Sequence, residues 1–257
     1  MPVVESLFDA RRVGADARRA ALAAAVASLP PASTSDPAGH AGGSTEVPGR
    51  AGALAVPEAF EGLLPAGLSR GSVVGVDGDG YLTSALVAAV LADGGSAALI
   101  GAEELGLEAV ASAGGDLERI VLVEAGDRWS AALEVLCGAV DLIVMNGRER
   151  PAPSQARRIA ARLRAGAART VLLAAGQGWD APVRLRVEGA RWIGLGDAGG
   201  QLAGRRAALV AEGAGRYGRA QVAHLWLPAA NGTVCQQSDP RAVPARPRHL
   251  AVVETAA

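Results

Sequence analysis

The chain contains no lysine, and all 25 of its basic residues are arginines. Chemistry that needs an ε-amine, whether a Schiff base or an ammonium laid against a nucleotide phosphate, is closed to it. Aromatic residues make up only 3% of the sequence. A core must therefore be assembled from Ala, Val and Leu, small side chains that suit closely packed helix-on-sheet layers. The two cysteines, Cys137 and Cys235, have no metal-ligand spacing, and they read as a buried apolar thiol and an incidental one. His40, His224 and His249 lie too far apart in sequence to suggest a metal site or a Ser-His-Asp arrangement. No cofactor and no metal are expected. The N-terminus, MPVVESLFDARRVGADARRAA, lacks the apolar core of a signal peptide, and no run of roughly 18 apolar residues occurs elsewhere. The expected location is cytoplasmic. A formal net charge of −1 supplies no overall field for nucleic acid or an anionic membrane, so any such contact has to come from local patches.

What is present is a rhythm of short apolar strands and helices. With 257 residues the chain can hold one α/β domain with tails. Residues 1–29 read as an N-terminal helical segment, Ala- and Arg-rich, with Val13, Ala17, Ala20, Ala24 and Ala27 on one face. Residues 30–52 turn to Pro, Ser, Thr, Gly and Asp without periodicity and read as a flexible linker. The core domain is expected over 53–227. Its predicted strands are Val73–Val76, Ala97–Ile100, Ile120–Val123, Leu142–Met145 and Val171–Ala174. The helices between them are Thr83–Ala92, Leu105–Ala113, Trp129–Ala139 and Gln155–Ala165. Continuously apolar strands alternating with helices imply a parallel sheet covered on both faces. From Val183 the pattern changes to short strands at Val183–Val187, Arg191–Leu195 and Ala207–Glu212, an antiparallel extension. Residues 228–257 are polar and Pro-rich and read as a flexible tail.

The first strand leads into Asp77-Gly78-Asp79-Gly80-Tyr81-Leu82-Thr83 and then a helix, which is the layout of a phosphate-binding P-loop. Such a loop wraps phosphates in backbone N–H groups, reaches them with a lysine and holds Mg²⁺ through the next Ser or Thr. Here Leu82 stands at the lysine position, and Asp77 and Asp79 put negative charge where a polyanion would sit.

Several motifs in register over roughly Ala53 to Glu212 resemble the ATPase core of the RecA family. More narrowly, they resemble the RecA-related ImuA proteins of bacterial mutagenesis cassettes in their lysine-free actinobacterial form. LLPAGLSRGSVVGV (Leu63 to Val76) resembles the family's entry to the P-loop strand, AALIGAEE (Ala97 to Glu104) the strand ending in its catalytic glutamate, and AVDLIVMNGRE (Ala139 to Glu149) its Walker B strand. The resemblance implies a RecA-like, mostly parallel twisted sheet with helices on both faces and an antiparallel C-terminal extension. It places the catalytic glutamate at Glu103, which also reads as a polar strand end. It places the Mg²⁺-side aspartate at Asn146, which lacks the charge to hold the metal's water shell. The loop is also one residue short.

Together these departures predict loss of ATPase activity. The resemblance implies a non-catalytic adaptor of a damage-induced translesion synthesis complex, associated with the nucleoid when in complex. Its partner would be an ImuB-type inactive Y-family polymerase relative and, through it, an error-prone C-family DNA polymerase. A runner-up keeps weak or partner-dependent nucleotide binding through Gly78, Gly80 and Thr83, since a helix N-terminus attracts anions without lysine. A third reading gives DNA or partner contacts to Arg148, Arg150, Arg157, Arg158, Arg162 and Arg164, which also read as a solvated arginine face. A distant likeness of ImuA proteins to SulA-type division inhibitors implies, as a fourth, a cell-division partner. Among Trp129, Trp179, Trp192 and Trp226, the last, in HLWLP, is the candidate exposed partner anchor.

Overall fold

The computed structural model describes residues 3–4, 20, 24, 27–28, 52–77, 79–102, 104–145, 150–165, 170–194 and 202–238. The strands are β1 (Val3–Val4), β2 (Ala53–Leu54), β3 (Leu68–Ser69), β4 (Val73–Asp77), β5 (Ala97–Ile100), β6 (Ile120–Val123), β7 (Leu142–Met145), β8 (Val171–Ala175), β9 (Val183–Ile193), β10 (Gly204–Gly213), β11 (Gln221–Trp226) and β12 (Cys235–Gln236). The helices are α1 (Gly80–Ala92), α2 (Leu107–Ser112), α3 (Trp129–Leu136) and α4 (Pro153–Ala165).

One sheet runs in the order β1-β6-β5-β7-β8-β4-β9-β10-β11-β12, and β2 and β3 form a separate pair. From β1 to β9 every neighbour is parallel, and from β9 to β12 every neighbour is antiparallel. This is the expected α/β sheet with its antiparallel end.

β5, β6, β7 and β8 are apolar at every position because the parallel sheet feeds two cores. Val74, Val76, Leu99, Val144 and Leu173 pack on the α1–α2 side, together with Phe60 and Leu64. Val73, Ala98, Ile100, Ile143, Met145, Leu172 and Ala174 pack on the α3–α4 side. Each large aliphatic side chain fully withdrawn from water stabilises the fold by about 1.5–3 kcal/mol before its ordering entropy is subtracted. α1 is wedged between the sheet and α2, and Leu82, Leu86, Val87, Val90 and Leu91 are all buried. α4 is amphipathic, starts at a proline that suits a first helical position, and buries only Ala156, Ile159, Ala160 and Leu163.

The start of the parallel sheet is held by Asp141. Its carboxylate accepts from Arg70 Nη1 at 2.8 Å and from the Ser96 N–H and hydroxyl at 3.0 Å each. Burial pushes this carboxyl up, but the hydrogen bonds from Arg70 and Ser96 win and hold it below the usual carboxylate range.

Three features differ from the sequence reading. The segment read as two short strands at Val183–Val187 and Arg191–Leu195 is one continuous strand through Ile193, bulged at Gly189. The ordered chain continues past Pro228, because β12 pairs with the end of β11. Ala20, Ala24 and Ala27 are helical but exposed, so these three cover no core. The rest of the 1–29 segment apart from β1 and Ser28, the linker up to residue 51 and the tail from residue 239 lie outside the described residues. No described helix is long and apolar enough to cross a membrane.

Candidate functional site

β4 ends at Asp77 and α1 begins at Gly80, so the P-loop position lies at the carboxyl edge of the parallel sheet, where open α/β sheets bind ligands. A cleft of about 260 Å³ opens there, lined by Val76, Asp79, Gly80, Thr83, Ala102, Glu104, Leu105, Val144, Met145 and Ala175. No basic side chain is among these residues, and two are carboxylates.

Asp79 is the N-cap of α1, in extended conformation, and its Oδ1 accepts from the Leu82 N–H at 2.9 Å. Arg205, from β10, closes on the same carboxylate with Nη1 at 2.6 Å from Oδ2 and Nη2 at 2.9 Å from Oδ1. Its Nε donates to the Leu227 carbonyl at 2.5 Å. The two side chains are only 11% and 7% exposed. The first turn of a helix offers N–H groups and a positive field to an anion, and here the chain's own carboxylate takes that place. It is clamped by a planar fork from a strand more than a hundred positions away.

Asp77 is engaged in a similar way. Its Oδ1 accepts from Arg184 Nη1 at 2.9 Å, and the same nitrogen donates to the Gly176 carbonyl at 3.0 Å. Arg184 lies flat against β4 because residue 75 is glycine; a Cβ there would sit 3.0 Å from the guanidinium carbon. The sequence shows two bare aspartates opposing a polyanion. In the folded chain each is matched by an arginine, so the loop is filled and its charge is neutralised from within.

The other loop residues point the same way. Leu82 is fully buried in the α1 core and does not face the cleft. The Thr83 N–H is directed to the Asp79 carbonyl at 3.3 Å. The Tyr81 hydroxyl donates to the Gly232 carbonyl, and burial pushes the phenol up to about 12 against the opposing effect of Arg205. Gly78, Glu103, Asn146 and Arg148 lie outside the described residues. Their neighbours Ala102, Glu104 and Met145 line the cleft, which is where the sheet directs that edge.

Arg150, Arg157, Arg158, Arg162 and Arg164 are exposed. Arg158 pairs with Glu134 at 3.3 Å and Arg162 donates to the Glu134 carbonyl at 3.3 Å, while Arg157 folds back on the Pro153 carbonyl. Part of this face is thus spent on α3 and on the helix itself. Trp226 is not an exposed anchor: it is 1% exposed, because β11 is covered by the turn that carries Ala229 and Cys235. The exposed tryptophan is Trp192, at 48%. Among the described residues no group of three or more His, Cys, Asp or Glu could hold a metal ion.

The arginines that decide the site, Arg184 and Arg205, carry no motif. Arg184 has one signal, its position: VRLRV places Arg184 and Arg186 at alternate sites of a strand segment whose other residues are apolar, and Arg205 has no such signal.

Residues 62–181 match the family profile described as the MT3502 N-terminal domain. An uncharacterized protein of Mycobacterium tuberculosis strain H37Rv, Rv3395c, is 36% identical over 107 residues, covering 40% of this chain and 52% of that protein. The chain thus spans about half the length of that relative. The stretch that matches the family profile holds β4 to β8 with the P-loop position and ends before Arg184 and Arg205. Over its parallel half the chain is therefore similar to the MT3502 N-terminal domain.

Proposed function

We propose that this chain is a non-catalytic adaptor, a P-loop fold that has stopped turning over nucleotide and acts by binding protein. The observation that carries the reading is the Asp79–Arg205 clamp on the α1 N-terminus. A nucleotide phosphate would have to displace a carboxylate that is already hydrogen-bonded, paired and desolvated. No lysine exists to compensate, and the cleft lining adds Glu104. The runner-up, weak nucleotide binding through Gly78, Gly80 and Thr83, asks for a hydroxyl that already donates to the Asp79 carbonyl at 3.4 Å.

The biological setting comes from the motif resemblance to ImuA-type proteins, which gives the adaptor its partners: an ImuB-type inactive polymerase relative and an error-prone C-family polymerase in damage-induced translesion synthesis. Two measurements test the reading. Isothermal titration of the full chain with Mg²⁺-ATP is expected to give no heat of binding at millimolar nucleotide, and saturable binding sinks the non-catalytic half. Co-purification from the native host after DNA damage is expected to recover the inactive polymerase relative, and its absence sinks the partner assignment.

A further inference from the structure

The distal half of β9 runs past the end of β4. β4 pairs with β9 only as far as Arg186, whereas β9 runs on to Ile193 with β10 as its neighbour on the other side. At about 3.3 Å per residue, residues 187–193 carry an arm of the antiparallel ladder roughly 20 Å past the P-loop edge, with β9 as its outer strand and β10 and the end of β11 behind it. Among the described residues none pairs with its β4-side edge, and Glu188 to Trp192 are exposed. Gly189, at φ +58°, makes a bulge where the ladder steps from Arg206↔Arg191 to Ala208↔Glu188, and such bulges re-aim the side chains beyond them.

Beyond the bulge, Arg191 stands directly opposite Arg206, and Trp192 opposite Arg205. Like charges facing each other across a strand pair oppose the fold. Neither Arg191 nor Arg206 forms an ion pair with a described residue, although Arg206 is held over the Trp226 ring at 4.7 Å. Alternation along the strand puts Trp192 on the other face, with the Arg205 guanidinium 5.5 Å from its ring. The described residues of the arm beyond the bulge hold Arg191, Arg205 and Arg206 and no acid.

We infer that the free edge of this arm accepts an extended acidic segment of a protein partner as an added strand. An added strand sends alternate side chains to opposite faces. A segment alternating carboxylates with large apolar residues therefore meets the arginine pair on one face and Trp192 on the other. Nucleic acid fits less well. The exposed indole and the unpaired arginines lie on opposite faces of the ribbon, and the net charge of −1 gathers no polyanion. A second copy of the chain would set arginine against arginine. The inference gives the adaptor reading a surface, and it rests on that reading only for the existence of a protein partner.

The test is fluorescence anisotropy on the full chain with a fluorescein-labelled nonapeptide alternating glutamate and leucine. Saturable binding is expected, weakened at least about tenfold in R191E/R206E and about fivefold in W192A, on the scale of one lost charge-assisted or aromatic contact. R191E alone, at an exposed site, serves if the double variant does not fold. R157E/R162E, which changes net charge equally on α4, is expected to bind as the native chain does. Three results overturn the inference: no binding by the native chain, equal loss in the α4 variant, or displacement of the peptide by oligothymidylate binding the arm more tightly. Peptide binding by a chain that also binds ATP keeps this inference and sinks the adaptor reading. ATP exclusion without peptide binding does the reverse.

Discussion

Replacing Arg205 by methionine keeps the bulk of the side chain and removes its fork, leaving the Asp79 carboxylate at 7% exposure with no counter-charge. Breaking a buried pair from one side costs about 3–5 kcal/mol, mainly because the surviving charge stays desolvated. Two supports remain here: the Leu82 N–H, and the field of the α1 N-terminus, which offsets about 0.3–1 kcal/mol. The expected loss is about 2–4 kcal/mol. Asp79→Asn keeps an equally good helix cap and leaves Arg205 its bond to the Leu227 carbonyl, so it should cost less, about 1–3 kcal/mol. In a double-mutant cycle the two changes should couple by at least about 1.5 kcal/mol, as directly contacting residues do. Urea denaturation followed by circular dichroism measures all four corners, and an unchanged m-value certifies that only stability moved. A loss below about 1 kcal/mol for Arg205→Met with coupling near zero would refute the claim that this pair occupies and secures the loop.

Leu82→Lys, the simplest attempt to restore a P-loop lysine, inserts an ammonium into a fully buried site and should cost about 3 kcal/mol or more without creating ATP binding; calorimetry and thermal melts check both halves. Asp141→Asn should cost about 2–4 kcal/mol. The folded carboxyl titrates below its ordinary value, so its contribution is present above about pH 4 and is lost as pH falls through the folded value. The variant should accordingly show a flatter acid limb in a stability–pH series. Gly75→Ala forces Arg184 off β4, where a Cβ would lie 3.0 Å from the guanidinium; an overpacking cost of about 1–3 kcal/mol should appear in the same melts. Burial pushes the Cys137 thiol up to about 11. In the otherwise native chain with Cys235 replaced by serine, maleimide labelling at pH 8 should run about a hundredfold slower than a free thiol, and labelling at the free-thiol rate would contradict its burial.

The strands that matched the sequence reading to the residue, β5, β6 and β7, are those buried on both faces, where each position must be apolar and a polar residue or turn marks the end. β9 was split in the reading at Glu188-Gly189-Ala190 because glycine signals a turn, and glycine in a left-handed bulge gives the same signal while the strand continues. The absence of a P-loop lysine was legible at Leu82, since a missing residue is a local fact. What occupies the loop was not legible. Asp79 and Arg205 are 126 positions apart and Asp77 and Arg184 are 107 apart, so their meeting depends on β9 lying against β4, and the strand order cannot be read from hydrophobic periodicity. The same holds for the tryptophans. Trp192 and Trp226 both sit in strand-like segments, and only the cover supplied by the residues after Pro228 separates the buried one from the exposed one.

The position of β4 between β8 and β9 bears on how the chain is made. β4 leaves the ribosome early, but both strands that border it lie about a hundred residues downstream, some 5–20 s later at ordinary elongation rates. During that interval the most apolar strand-and-helix unit of the protein has neither edge covered, and Asp79 has no arginine. The nascent chain then exposes two strand edges and an uncompensated carboxylate until the C-terminal strands emerge and close the sheet.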